Sequence, residues 1–292
     1  MTPITLEVPT LCDSVTHYDR MFTLWNQVNG DGLNVMFRFS HCTFLKQNAV
    51  AFLGGLARLI EHRGGSVQFD WTTLKEKIYT NLAQQGFLES FGVNEGPWKG
   101  NSVSFREDRT KNKKELVNYL KSKWLGRGWI SVSQKLRDAI VGRVWEIYEN
   151  AFEHSHSSIG IFSCGQHYPN QKCLDLAVVD FGVGIPSNVR MFVHDESLPA
   201  GRTLEWAFQA GKTTKPNGMG RGMGLDLLRD FVKVNDGWLE VFSHDGYARI
   251  DRQGERYETR NSMFEGTILN ISLKCDDKLY CFDTEIPNTP LF

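Results

Sequence analysis

The chain has 292 residues, enough for two domains of ordinary size, and its 41% hydrophobic and 23% charged residues exclude a disordered or fibrous protein. Net charge is −1, and the densest cationic run (Arg106, Arg109, Lys111, Lys113, Lys114) is diluted by Glu107 and Asp108, so nucleic acid is not an expected partner. Six cysteines without CxxC spacing, no basic leader ahead of an apolar core, and no apolar run of bilayer length predict a soluble, cytoplasmic protein with reduced thiols and no membrane association.

Residues 33–40 alternate and are rich in strand formers. A helix is expected over 46–62, where Val50, Leu53, Ala57 and Ile60 follow the helical spacing, and Gly64-Gly65 stops it. A second strand over 66–71 and a second helix over 74–91 complete a βαβα unit, which predicts a small α/β domain over 1–95. From 96 to 114 Gly, Pro, Asn and charges dominate, and this stretch reads as a linker.

A second domain is expected over 115–292. Its helix 133–154 carries the apolar stripe Leu136, Ile140, Val144, Ile147 and Ala151. Strands are expected near 159–164 and 173–180, then an irregular, glycine-containing stretch over 181–222, a helix over 223–235, and strands near 238–243, 247–251 and 267–273. The pattern suggests an α/β sandwich, a mixed sheet backed by helices.

Three constellations carry chemistry. Glu146 and Asn150 are four apart on helix 133–154 and share a side of it. A carboxylate and a carboxamide oxygen there offer hard ligands to Mg²⁺ and can orient a water, although a plain surface pair has the same spacing. Asp180-Phe-Gly182-Val-Gly184 follows an apolar strand, where an Asp can accept from an exocyclic amine and glycines let backbone approach a flat ring, or simply make a turn. Gly218-Met-Gly220-Arg221-Gly222-Met223-Gly224-Leu225 leads into a helix, an arrangement whose amides can cradle phosphates.

Two familiar nucleotide motifs are absent. Gly211-Lys212-Thr213 lacks the P-loop glycine five residues earlier, where Trp206 stands, and a dinucleotide fingerprint from Gly218 would need glycine at Met223. His154, His156, Cys164 and Cys173 match no standard zinc spacing.

Taken in order, these segments resemble the GHKL superfamily of gyrase-type topoisomerases, heat-shock chaperones, mismatch-repair ATPases and histidine kinases. Glu146-Ile-Tyr-Glu-Asn150-Ala151 resembles its N box, Asp180-Phe-Gly182-Val-Gly184 its G1 box, Gly220-Arg-Gly222-Met-Gly224-Leu225 its G2 box, and Gly266-Thr267 its closing Gly-Thr, over roughly 115–275. The resemblance implies a Bergerat α/β sandwich that binds ATP with Mg²⁺. Asn150 would ligate Mg²⁺, Glu146 activate water and Asp180 bind the adenine amine, with Thr267 supporting Asp180. Gly182 and Gly184 would line the base pocket. Gly220, Arg221, Gly222, Met223, Gly224 and Leu225 would hold the phosphates. Residues 185–219 would form a lid bringing Lys212 and Lys215 towards the γ-phosphate. The first domain resembles a STAS domain through its element order and the Cys42-Thr-Phe-Leu45 lead into the helix; Lys46-Gln-Asn-Ala49 offers no hydroxyl for phosphorylation, so docking or dimerisation is expected of it.

Three functions follow from the resemblance: an ATPase whose lid gates a partner protein, a serine kinase of the anti-sigma or histidine-kinase type, or a non-hydrolysing ATP-gated interaction module. The partner would be a protein encoded nearby, or a second copy of the chain in a homodimer.

Overall fold

The computed structural model describes residues 3–94, 100–209 and 226–286. The chain starts with β1 (Ile4–Glu7), α1 (Val15–Gln27), β2 (Asn34–Arg38), α2 (Gln47–His62) and β3 (Ser66–Phe69). The three strands are parallel in the order β1-β2-β3, as βαβ connections require. Strand β2 buries Val35 and Phe37, while α2 is buried almost all round, as suits a helix held between two layers. The helix expected over 74–91 is broken into α3 (Glu76–Gln84) and α4 (Phe87–Ser90). At the break the Gln85 carbonyl accepts from the Phe105 amide at 2.7 Å, tying this segment to the next sheet.

The chain continues through β4 (Ser102–Asp108), α5 (Lys113–Tyr119), β5 (Ser131–Val132), α6 (Gln134–His154), β6 (Ile161–Tyr168) and β7 (Cys173–Asp180). Then come α7 (Gly184–Val193), α8 (Ala200–Ala207), α9 (Asp226–Asn235), β8 (Trp238–Asp251), β9 (Gly254–Lys274) and β10 (Leu279–Tyr280). The large sheet has the order β4-β6-β7-β9-β8, and every neighbouring pair in it is antiparallel. It is therefore not the expected mixed sheet. Tight turns make hairpins of β6–β7 and β8–β9, and β9 returns between β7 and β8.

Alternating side chains on β7 separate two cores. Leu174, Leu176 and Val178 join α5, α6 and α9 on one face, whereas Ala177 and Val179 join α1, α2 and the N-terminal strands on the other. The N-terminal residues thus form a layer over the sheet. Part of the stretch read as a linker is β4, an edge strand of that sheet. Its alternation is hidden by charges that find partners: Arg106 bonds Asp108, and Glu107 bonds Arg58. None of the six cysteines forms a disulfide. Among the described residues no helix is long and apolar enough to cross a membrane.

Candidate functional site

Strand β7 ends in Asp180, which is 5% exposed and stands opposite Thr267 of β9. Its Oδ1 accepts from the Gly182 amide at 3.0 Å. Burial pushes the Asp180 carboxyl up to about 7, against the Gly182 amide and the Thr267 hydroxyl and amide, which favour its charged form. Among the described residues no cation pairs with it.

The loop after Asp180 is held from two sides. The Val183 amide donates to the Ser155 carbonyl at 2.7 Å, just beyond the C-terminus of α6. Asn188 Nδ2 donates to the His154 carbonyl at 2.9 Å. From β8, Ser243 Oγ accepts from the Ile185 amide at 2.9 Å, and His244 Nε2 lies 2.7 Å from the Val183 carbonyl. These contacts explain the glycines differently from the sequence reading. A Cβ on Gly182 would fall 1.9 Å from the Ser155 carbonyl oxygen. Gly184 has φ +71°, and a Cβ there would fall 2.6 Å from His244 Cδ2. Protein atoms alone are enough to demand glycine at both positions.

Asp180, Gly182, Gly184 and Thr267 are thus brought together, with Ser243 Oγ 3.0 Å from Thr267 Oγ1. Sequence reasoning missed Ser243 and His244. Both belong to a strand pattern with no motif, and only the pairing of β8 with β9 brings them beneath the loop.

Helix α6 carries Glu146 and Asn150 in its last turns, and its C-terminus abuts the loop through Ser155. Glu146 is half-buried and bonds Arg143 Nη1 at 2.7 Å; Asn150 is exposed. On the same helix Glu149 and Glu153 are engaged by Lys111 at 2.7 and 2.8 Å. An exposed carboxamide oxygen is a suitable hard donor for Mg²⁺, which usually keeps waters and substrate phosphates in its shell. Among the described residues no group of three or more His, Cys, Asp or Glu could hold a metal ion.

The stretch expected to be irregular contains α7 and α8. Pro186 lies in the first turn of α7 and Pro199 caps α8, positions where proline is compatible with a helix start. The α7–α8 segment is also braced: the Gly201 amide donates to Thr259 Oγ1 of β9 at 3.0 Å. Lys212, Lys215, Gly218, Gly220, Arg221, Gly222, Met223, Gly224 and Leu225 lie outside the described residues. The residues flanking that segment are clasped by Arg229 of α9, whose Nη1 donates to the Phe208 carbonyl at 2.8 Å and to Asp226 at 3.1 Å. Arg229 and Lys233 both bond Glu255; against the desolvation of burial they hold its carboxyl down at about 2.

Comparison of this chain with protein-family models and with curated proteins gives no match.

Proposed function

We propose that this protein binds ATP with Mg²⁺ at the end of β7 and uses the nucleotide to govern its contact with a partner protein. The reading is carried by Asp180, a fully buried carboxylate with no cation partner among the described residues. Burying such a group is costly, and a strongly raised carboxyl in a loop-lined site is the pattern of a ligand-reading residue. An adenine amine would donate to it and offset that cost. The resemblance of the four ordered motifs to the GHKL superfamily supports the same ligand, with a Bergerat-type sandwich and a STAS-like N-terminal layer as the finer description of the fold.

In this reading Asn150 would hold Mg²⁺, which supplies positive charge to the phosphates. Glu146 would orient the attacking water and accept its proton. The glycines from Gly220 to Gly224 would receive the phosphates at the start of α9.

One observation favours a second reading, an ATP-gated module without hydrolysis. Glu146 Oε1 is engaged by Arg143 Nη1 at 2.7 Å, so that oxygen faces a guanidinium rather than a water.

Incubation of the purified protein with Mg²⁺ and γ-labelled ATP tests both. Free phosphate that disappears in Glu146→Gln, with binding retained, is expected of the ATPase. Binding without phosphate release is expected of the module. Label on a co-encoded protein would replace both with a kinase. Absence of ATP binding, or binding unchanged by Asp180→Asn and Asn150→Ala, would sink the nucleotide reading.

A further inference from the structure

Strand β8 departs from regular pairing beneath the loop. Its register with β9 shifts between Ser243 and His244 and again between His244 and Gly246, and His244 has φ +52°. Such a bulge re-aims side chains. Here it sends two consecutive residues to the same loop, 58 and 61 positions away in sequence.

Ser243 is fully buried and its hydroxyl is used completely. It donates to the Gly266 carbonyl at 2.9 Å and accepts from the Ile185 amide at 2.9 Å. Thr267 Oγ1 stands 3.0 Å away. Thr267 in turn stands opposite Asp180 across the ladder, so the anchor of the loop touches the residue that pairs with the carboxylate's strand end.

His244 fixes the other side. Its Nε2 is 2.7 Å from the Val183 carbonyl, which can only accept, so Nε2 carries the proton; Ser187 Oγ shares it at 3.3 Å. The two side chains thus hold the carbonyl before Gly184 and the amide after it, and close packing against both leaves no room for a Cβ there.

We infer that Ser243 and His244 are positioning residues that set base discrimination at Asp180 by fixing the Val183–Ile185 backbone. The inference rests on the ATP reading. Adenine presents an amine donor at C6, whereas guanine presents a carbonyl oxygen that a carboxylate repels. Sites built on a hydrogen bond reject analogues lacking it strongly, provided that the geometry is rigid. A loosened loop lets the base shift, so discrimination falls together with affinity.

The test is titration of ATP and GTP into wild type, Ser243→Ala, His244→Asn, His244→Gln and Asp180→Asn, with a melting curve for each. Asn tolerates positive φ, but its amide is too short to reach Val183; Gln can place an amide nitrogen where Nε2 lies. Expected are about 10-fold weaker ATP binding, the worth of one hydrogen bond, in Ser243→Ala and His244→Asn, and a fall of similar size in ATP-over-GTP preference. His244→Gln should recover most of both. If Ser243→Ala and His244→Asn bind and discriminate like wild type while Asp180→Asn does not bind, the inference fails and the ATP reading stands. It also fails if Gln and Asn at 244 are equally impaired, which would mark a merely structural role. If wild type binds neither nucleotide, the underlying ATP reading falls, and this inference falls with it.

Discussion

Strand β7 buries two aspartates, Asp175 and Asp180, one on each face of the sheet. Asp175 faces the N-terminal layer and meets Lys46 Nζ at 2.9 Å. Lys46 also bonds Asp13, and its ammonium lies 4.9 Å from the centre of the Tyr168 ring. Burial disfavours the charge on Lys46, but Asp175 and Asp13 reverse that and hold it well above the usual lysine range. Asp180 faces the α6 side and has a backbone amide and the Thr267 strand end instead of a cation. The first aspartate has a cation that offsets part of the cost of burial and joins two layers, although burial still raises its carboxyl and Oδ1 has no partner. The second leaves that cost without a cation at a glycine loop, which is where a ligand would complete it.

The largest expected effect breaks the paired side. Lys46→Met leaves Asp175 buried and unpaired and should cost about 3–5 kcal/mol in urea denaturation. Adding Asp175→Leu should recover much of that, since the remaining cost came from the orphaned charge. The unpaired side should behave oppositely. Asp180→Asn removes a desolvated charge and should stabilise the ligand-free protein at pH 8, by up to about 4 kcal/mol from the gap between 3.8 and about 7. The sign follows from proton uptake. Between pH 4 and 7 the folded state binds more protons at this group than the unfolded chain, so its contribution to stability falls as pH rises and is flat above 7. Wild type and Asp180→Asn should therefore melt alike near pH 4 and diverge towards pH 8. Parallel melting temperatures across that range would break the contrast.

Smaller effects lie at the flanks of the site. Glu255→Gln loosens the clasp from α9 to the β8–β9 hairpin and should cost about 1–2 kcal/mol. Because the Glu255 carboxyl is held at about 2, below its ordinary 4.5, that stability is present above pH 4.5 and is lost as pH falls through about 2. Acid titration of wild type and variant should converge accordingly. Arg143→Ala removes a half-exposed pair and should change stability by less than about 0.5 kcal/mol. It frees Glu146, however, so phosphate release should rise if hydrolysis is the function.

The long periodic elements were legible in the sequence. Helices α2 and α6 and strand β7 follow directly from apolar spacing, and Asp180 with its glycines stands out in the sequence because the motif is contiguous. Strand β4 was not legible, since Arg106, Glu107 and Asp108 look like a solvated run until their partners are known. Helices α7 and α8 were obscured by Gly184, Pro186 and Pro199, residues that break a helix inside but suit its start. Strands β8 and β9 were read as short pieces because polar residues from Gly254 to Glu265 pair largely outside the core. The reason for glycine at 182 and 184 was hidden for a different cause: Ser155, Ser243 and His244 come from other elements, and only tertiary contact reveals the crowding.

The contrast between the two aspartates is tested most directly by equilibrium titration of Mg²⁺-ATP at pH 8 into wild type, Asp180→Asn and Asp175→Asn. Saturable binding by wild type, at least about 100-fold weaker in Asp180→Asn and within about threefold of wild type in Asp175→Asn, is the predicted result. Binding by Asp180→Asn with wild-type affinity would contradict it.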